Sequence, residues 1–256
     1  MLFGIKRVYW RLYWWFKPWR EGRSDLQAEL AFLMRRDMGV SFGVKLELLR
    51  RFIIISRRID LHHTQHEMLQ VAAAILKFPR DVPGVVIEAG CYKGGSTAKF
   101  SLCCALAGRR LIVFDSFEGI PENQEVQVDL SHTKTVFSKG QYTGALDEVK
   151  RNVETYGDLS VCDFVKGWFS DTMPGFDKPI AVGYLDVDLV SSTRDCLKYL
   201  YPRLVSGGVL FSQDGHLSNI IALLRDDNFW REEVRSARPP MQGVGVHKLV
   251  SIFQSA

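Results

Sequence analysis

The 256-residue chain lacks the features that mark several classes of protein. It has five cysteines, an odd number with no C-x-x-C pair, which does not indicate a disulfide framework. No apolar run reaches the roughly 18 residues of a membrane span. Charges interrupt the apolar N-terminal stretch and no small-residue cleavage site follows it, so we expect no secretory signal. These absences predict a cytoplasmic protein with reduced thiols.

The charge balance gives no sign of a nucleic-acid-binding protein. The net charge of +4 is too small to indicate a nucleic-acid partner. The excess is concentrated in residues 1–20, which hold five basic residues, no acidic residue and four of the six tryptophans. Helical spacing gives this stretch one apolar face, and Pro18 should end the helix. We weigh peripheral membrane contact against packing on the rest of the protein or across a dimer, and prefer the packing; we expect a homo-oligomer.

Alternating helix and strand patterns predict an α/β fold with a mostly parallel sheet covered by helices on both faces. Thr64 and Glu67 have capping-box spacing at the start of a helix predicted to reach Phe78. The domain prediction is an aromatic and basic helix over 1–22, a helical segment over 23–80 and a ligand-binding domain over 81–256. Residues 118–140 show no periodicity and are predicted to form a loop over the site. Strands are predicted at 85–87, 111–114, 161–165, 180–187, 208–212 and 246–253, and helices at 26–36, 44–53, 96–106, 145–156, 192–204 and 217–226.

A glycine-rich segment follows the first predicted strand, where ligands bind in such sheets. Its spacing from Gly90 is G-x-x-x-G-G, which differs from the G-x-G-x-x-G of a dinucleotide pyrophosphate site. Glu88 beside it suits a ligand with a positively charged amino-acid end. Asp115 ends the next strand, about 25 residues further on, where a nucleotide ribose is bound through its hydroxyls. The alternatives are a plain glycine turn and a turn or cap aspartate.

Acidic residues also follow two later strands. Asp186 and Asp188 are two apart, so their carboxylates can face the same side of the strand end. Asp214 follows the next strand, flanked by Gln213 and His216. Oxygen ligands converging from two strand ends would suit Mg²⁺. The alternative is that Asp188 only caps the following helix.

With these residues the chain resembles the macrocin O-methyltransferase family of S-adenosylmethionine-dependent enzymes. The resemblance covers roughly residues 64–216, and its most specific part is Asp115-Ser116-Phe-Glu-Gly together with Gly167-Trp168-Phe. It implies a Rossmann-like class I methyltransferase fold, with an N-terminal helical extension in this chain. The matching stretches are 86–96, 114–121, 166–174, 185–193 and 201–209.

The resemblance also implies residue roles. S-adenosylmethionine would bind along the glycine segment and the two specific motifs, through Glu88, Gly90, Tyr92, Gly94, Ser96, Asp115, Ser116 and Trp168. Mg²⁺-assisted methylation of a hydroxyl, often on a sugar of a natural product, is implied, with Asp186 as metal ligand and Asp188 as general base. The family has paired aspartates after the next strand, and this sequence has Gln213 and Asp214 there. The loss of one charge weakens the expectation of a metal.

We therefore expect an O-methyltransferase acting on a sugar, glycan or other small-molecule acceptor, with His216 as a reserve base. A methyltransferase-like fold that has lost catalysis and serves as a binding or scaffold module is the alternative, supported by Gln213 and the divergent C-terminal third. A nucleotide-sugar oxidoreductase is disfavoured by the glycine spacing. His62 and His66 are spaced to share one helix face, but a polar helix start lining the cofactor cleft, with His63, is the preferred interpretation.

Overall fold

The computed structural model describes residues 25–254, so the predicted helix over 1–22 lies outside the described residues. Three helices precede the sheet: α1 over residues 25–34, α2 (Phe42–Arg58) and α3 (Gln65–Lys77). The capping box of α3 is confirmed, because Thr64 Oγ1 accepts from the Glu67 N–H while the Glu67 carboxylate accepts from the Thr64 N–H.

Nine strands and five further α-helices follow, together with short 3-10 helices at Leu159–Val161 and Tyr201–Arg203 and a π-helix at Phe229–Val234. The strands are β1 (Val85–Ala89), β2 (Leu111–Asp115), β3 (Val126–Val128), β4 (Lys134–Val136), β5 (Cys162–Lys166), β6 (Ile180–Leu185), β7 (Leu204–Ser212), β8 (Met241–Gln242) and β9 (Val250–Phe253). The helices are α4 (Gly95–Ala107), α5 (Leu146–Tyr156), α6 (Phe169–Thr172), α7 (Val190–Leu200) and α8 (Ser218–Arg225).

Seven of these strands form one sheet in the order β5-β2-β1-β6-β7-β9-β8. The first five are parallel, β9 is antiparallel to β7, and β8 is antiparallel to β9. Ala89 pairs with Leu185, and Leu185 pairs with Ser212. The central strands therefore end at the same edge, and the residues that follow them meet there.

The sheet is covered on both faces, as predicted. Successive residues of a strand point to opposite faces, so Val86 belongs to the apolar cluster that contains Phe52 and Met68, whereas Ile87 belongs to a second apolar cluster. That second cluster includes Leu197, Leu224 and Trp230 from the opposite layer. All six residues of β6 are buried, as expected for a central parallel strand. The predicted fold, a mostly parallel sheet between helical layers, is confirmed.

Several predicted boundaries are wrong. The segment predicted as a loop, 118–140, contains the antiparallel hairpin of β3 and β4, which the sequence pattern does not reveal because each strand is only three residues long and the hairpin is mostly exposed. Asn219 Nδ2 donates to the Val126 carbonyl oxygen over 2.8 Å, so the hairpin rests on the start of α8. The last strand begins at Val250 rather than at residue 246, and β6 ends at Leu185 rather than at residue 187. Within residues 25–254 no helix has the length and apolarity needed to cross a lipid bilayer.

Candidate active site

A cleft lies at the carboxyl ends of the central strands. Its empty volume is about 900 Å³ including space open to solvent. Eight of the predicted site residues line it: Gly90, Tyr92, Ser96, Asp115, Ser116, Trp168, Asp186 and Asp188. Five others do not contribute to its lining: Glu88, Gly94, Gln213, Asp214 and His216. The structure thus brings the predicted glycine segment and the Asp-x-Asp segment to one cavity.

Gly90 joins these two segments by close packing. Its φ is +80°, and a Cβ at this position would lie 2.0 Å from the Asp186 carbonyl oxygen. The Asp186 N–H donates to the Ala89 carbonyl oxygen over 2.9 Å, which continues the pairing of β1 with β6. Glycine is needed here because any side chain would collide with the backbone that carries the acidic residues.

Asp115 is held by the backbone around it. One carboxylate oxygen accepts from the Cys91 N–H and the other from the Phe117 N–H, each over 2.7 Å. Burial raises the pKa of Asp115, and these hydrogen bonds oppose that shift. Each oxygen keeps a lone pair, so the carboxylate can also accept from a ligand hydroxyl in the cleft.

Two predicted ligand-binding residues, Glu88 and Gly94, neighbour the cleft lining near Asp115 without being part of it. Glu88 is fully buried, and neither carboxylate oxygen has a hydrogen-bond partner among the described residues. Burial raises the pKa of Glu88 to about 8, although the nearby Ser96 and Thr97 side chains oppose the shift. Gly94 adopts a left-handed conformation at the N-cap of α4, where it starts the helix. Direct ligand contacts of Glu88 and Gly94 stay predictions.

The carboxylates of Asp186, Asp188 and Asp214 form an acidic cluster at the ends of β6 and β7. One oxygen each from Asp186, Asp188 and Asp214 lies within 4.8 Å of the other two. The Asp214 carboxylate also accepts from the N–H groups of Val187 and Asp188, over 3.3 and 3.1 Å. This holds the backbone of Asp188 in a left-handed conformation with φ of 59°.

The charges of this acidic cluster are poorly compensated. Burial raises the pKa of all three carboxyls, repulsion from Asp214 and Asp186 raises that of Asp188 further, and the Lys248 ammonium group opposes these shifts. Three close carboxylates ionise together only when a cation offsets their repulsion. Carboxylate oxygens at this spacing are suitable ligands for a hard divalent cation.

Gln213 and His216 flank Asp214 without entering the cleft lining. Gln213 is fully buried, and its amide nitrogen and oxygen have no hydrogen-bond partner in the described part of the chain. Burial lowers the pKa of His216, and its Nδ1 atom is buried without a partner among residues 25–254. A metal contact of Gln213 and a proton transfer by His216 stay predictions.

Four further residues of the cleft come from distant parts of the chain: His62, His63, Tyr142 and Lys248. The interpretation of His62 and His63 as cleft-lining residues before α3 agrees with their position, whereas sequence patterns gave no signal for Tyr142 and Lys248. The rings of His62, Tyr92 and Tyr142 contact one another, with centroids 5.5–6.1 Å apart. Lys248 Nζ donates to the His62 carbonyl oxygen over 3.3 Å.

His63 faces the acidic cluster as a neutral ring. Burial lowers its pKa to about 3, with Lys248 and Lys99 adding to the shift, so its contact with Asp186 is not an ion pair at neutral pH. Its Nδ1 atom lies 3.6 Å from Asp186 Oδ2 and 3.2 Å from the Tyr184 hydroxyl oxygen. His66 instead interacts with Gln70 on α3 and lies outside the cleft lining.

Comparison with known proteins identifies relatives of this arrangement. The chain is 38% identical over 142 residues to 8-demethyl-8-(2,3-dimethoxy-alpha-L-rhamnosyl)-tetracenomycin-C 4'-O-methyltransferase of Streptomyces olivaceus, covering 52% of this chain and 53% of the relative. It is 35% identical over 145 residues to mycinamicin III 3''-O-methyltransferase of Micromonospora griseorubida, covering 52% and 56%. The chain thus spans about half the length of these curated relatives.

A solved structure shares the fold. The O-methyltransferase NovP aligns with a TM-score of 0.67 at 20% identity, over 83% of this chain and 100% of NovP. At that identity the likeness shows the Rossmann-like methyltransferase fold alone. The family model of macrocin O-methyltransferase matches residues 59–242, which is more than half of the chain and includes the glycine segment, Asp115 and the acidic cluster. The chain belongs to the macrocin O-methyltransferase family.

Proposed function

We propose that this protein transfers the methyl group of S-adenosylmethionine to a hydroxyl group of a sugar, or of another small-molecule or glycan acceptor. The observation that carries the proposal is the acidic cluster beside the glycine segment in one cleft. The relatives from Streptomyces olivaceus and Micromonospora griseorubida are named as O-methyltransferases of a rhamnosyl-tetracenomycin and of mycinamicin III, which supports a glycosylated acceptor.

The part of the cleft formed by Gly90, Asp115 and Trp168, here called the donor half, suits an adenosyl ligand. The Asp115 carboxylate, fixed by two N–H groups, can accept from both hydroxyls of a ribose. Gly90 leaves room for a ligand to approach the backbone between β1 and β6. Trp168 lines the cleft with 37% of its surface exposed, so its ring can cover an adenine base.

Asp188 is the proposed general base. The acceptor oxygen attacks the sulfonium methyl carbon, so a C–O bond forms while the C–S bond breaks and its electron pair remains on sulfur. Asp188 takes the proton that the acceptor hydroxyl loses; burial and repulsion from Asp214 and Asp186 raise its pKa, so it is deprotonated for this role only where a positive charge offsets them. The chain otherwise contributes by holding acceptor and donor in line and by keeping water out. His62, Tyr92 and Tyr142 form an aromatic surface beside the acids on which a sugar ring can pack.

The acidic cluster fits a divalent cation. Asp186 and Asp214 would hold Mg²⁺, with Gln213 supplying a neutral oxygen if its unpaired buried amide turns toward them. When bound, the cation would lower the pKa of an acceptor hydroxyl and offset the repulsion among the carboxylates. Lys248 supplies part of that compensation from within the chain.

Two measurements test the proposal. Titration calorimetry with S-adenosylmethionine should detect one site per chain. Transfer of a labelled methyl group should be seen with acceptors that carry 6-deoxyhexosyl groups, and the product should be an ether at one sugar hydroxyl. If the donor does not bind at high concentration, the proposal is wrong. Binding without transfer to any hydroxyl acceptor would instead support the scaffold alternative.

The remaining predictions concern partners. Liposome flotation of the full chain and of a chain beginning after Gly22 tests membrane contact through residues 1–20. Failure of both to bind would exclude it. Sedimentation of the same two chains tests the homo-oligomer, and loss of association in the shorter chain would place the contact in residues 1–22.

A further inference from the structure

Helix α7 begins without a cap from its own sequence. Its N-cap residue is Leu189, whose side chain cannot accept a hydrogen bond, although the first N–H groups of any helix lack partners within the helix. This helix follows Asp188 directly, so the way its first turn is fixed also fixes the backbone that carries the proposed base. The partner of these N–H groups therefore bears on the geometry of the site.

Glu125 supplies the missing cap from 65 residues earlier in the chain. Its Oε2 atom accepts from the Val190 N–H over 2.7 Å, and its Oε1 atom accepts from the Ser191 N–H over 3.1 Å and from the Ser191 hydroxyl over 2.6 Å. Gln127 Nε2 also donates to Oε2, over 2.9 Å, and so helps to fix the orientation of the Glu125 carboxylate. A negative charge at a helix N-terminus also interacts favourably with the helix dipole.

The backbone between β6 and α7 is thus held from two sides. On one side the Asp214 carboxylate accepts from the N–H groups of Val187 and Asp188. On the other side Glu125 accepts from the two residues that start α7. Asp188 lies between them in a left-handed conformation, which is costly for a residue with a side chain and persists only where its surroundings impose it.

Glu125 also ties the segment before β3 to this point. Ile120 and Pro121, a few residues earlier, line the cleft, and Ser192 in the first turn of α7 lines it from the other side. Glu125 itself does not line the cleft. It is therefore suited to set the shape of the acceptor side without taking part in the chemistry.

We propose that Glu125 is a positioning residue that sets the orientation of the Asp188 carboxylate by capping α7. The inference rests on the proposed function, in which Asp188 takes the proton from the acceptor. A base misplaced by about 1 Å can lose about a hundredfold in rate while ligand affinity is kept. Loss of the cap therefore acts on turnover and leaves binding of the donor at the opposite half of the cleft unchanged.

The test compares Glu125→Ala with Glu122→Gln in the full chain. Glu122 is exposed in the same segment, and its contact in the described chain is an ion pair with Lys139, so its variant should behave as the wild type. Glu125→Ala should lower kcat by about 10–100-fold, with the dissociation constant of S-adenosylmethionine unchanged. A fall in donor affinity equal to the fall in kcat, or an unchanged kcat, would overturn the proposal.

A second variant separates positioning from general loss of structure. Ser191→Ala removes one of the three hydrogen bonds that Glu125 accepts from α7, so its effect on kcat should be smaller and should vanish in the Glu125→Ala background. Additive effects of the two substitutions would overturn the proposal.

Amide hydrogen exchange gives a readout that needs no turnover. In Glu125→Ala the Val190 and Ser191 amides should exchange faster, while those of β1 and β2 should not change. If no acceptor is methylated even by the wild-type chain, the proposed function fails while this exchange result still decides whether Glu125 caps α7. Unchanged exchange at Val190 and Ser191 would overturn the capping.

Discussion

The two halves of the cleft use carboxylates in opposite ways. In the half proposed to bind the methyl donor, the Asp115 carboxylate is fixed by two backbone N–H groups. In the half proposed to bind the acceptor, here called the acceptor half, Asp186, Asp188 and Asp214 face one another, and repulsion among them adds to the effect of burial on their pKa values. The donor half is therefore organised by the backbone, whereas the acceptor half holds strain that a cation or a proton must relieve.

The strongest test of this contrast is Asp188→Asn. An amide cannot take the proton from the acceptor, so we predict that kcat falls by about 10²–10⁴-fold. The dissociation constant of S-adenosylmethionine should stay unchanged, because the donor half is held by other residues. Steady-state kinetics and calorimetry measure the two quantities, and a large loss of donor affinity would show that the halves are not separate.

Asp115→Asn is the converse substitution. It keeps one acceptor oxygen but places an NH₂ group against backbone donors, and it removes the charge from the hydrogen bonds to a ribose. We predict that the dissociation constant of S-adenosylmethionine rises by about 10–100-fold. At saturating donor the kcat should change much less than in Asp188→Asn. A dominant effect on kcat would contradict the assignment of Asp115 to the donor half.

Addition of Mg²⁺ should affect the acceptor half alone. The folded cluster would bind the cation and the unfolded chain would not. We therefore predict that each 10-fold increase in Mg²⁺ concentration raises Tm. The rise should be about 2–4 °C for each kcal/mol of binding free energy. Asp214→Asn should abolish this rise, while Asp177→Asn, at an exposed position, should keep it. An equal Mg²⁺ response in all three proteins would locate the cation elsewhere.

The smallest predicted effect concerns Glu88, the donor-half acid that lacks partners. Its pKa is raised to about 8 from an ordinary 4.5, so the stability linked to its protonated form is complete below pH 4.5 and is lost as pH rises through 8. Glu88→Gln should make this pH dependence smaller by the share that Glu88 contributes, and should gain about 1 kcal/mol near pH 8 after the cost of burying an amide. Urea denaturation from pH 5 to 8.5 measures it, with Glu118→Gln as an exposed control. A wild-type stability that does not fall over this range would contradict the buried, protonated state of Glu88.

Most of the fold follows from patterns that are local in the sequence. The capping box at Thr64, the apolar strands and the helices between them depend on residues close together in the chain, and they are found where expected. The strand pair β3 and β4 was missed because the register between strands of three residues is set by what they pack on, here the start of α8. The brief strand β8 depends likewise on pairing with β9.

The candidate site divides in the same way. The glycine segment, Asp115 and the Asp-x-Asp pair have sequence signatures because each follows its own strand. Lys248 and Tyr142 have none, since they reach the cleft from loops whose paths depend on the whole structure. Glu125 is the clearest case, because an acid that caps a helix 65 residues away has no spacing rule that could reveal it.

The close approach at Gly90 has a consequence for sequence variation. The 2.0 Å separation that a Cβ would have from the Asp186 carbonyl oxygen excludes every other amino acid, and the positive φ disfavours most of them further. Gly175, where an added Cβ would meet no atom within 4 Å, is free to vary. A library that randomises both codons should thus recover glycine alone at position 90 and many residues at 175. The close packing of the glycine segment on the backbone of Asp186 therefore depends on one codon that cannot vary.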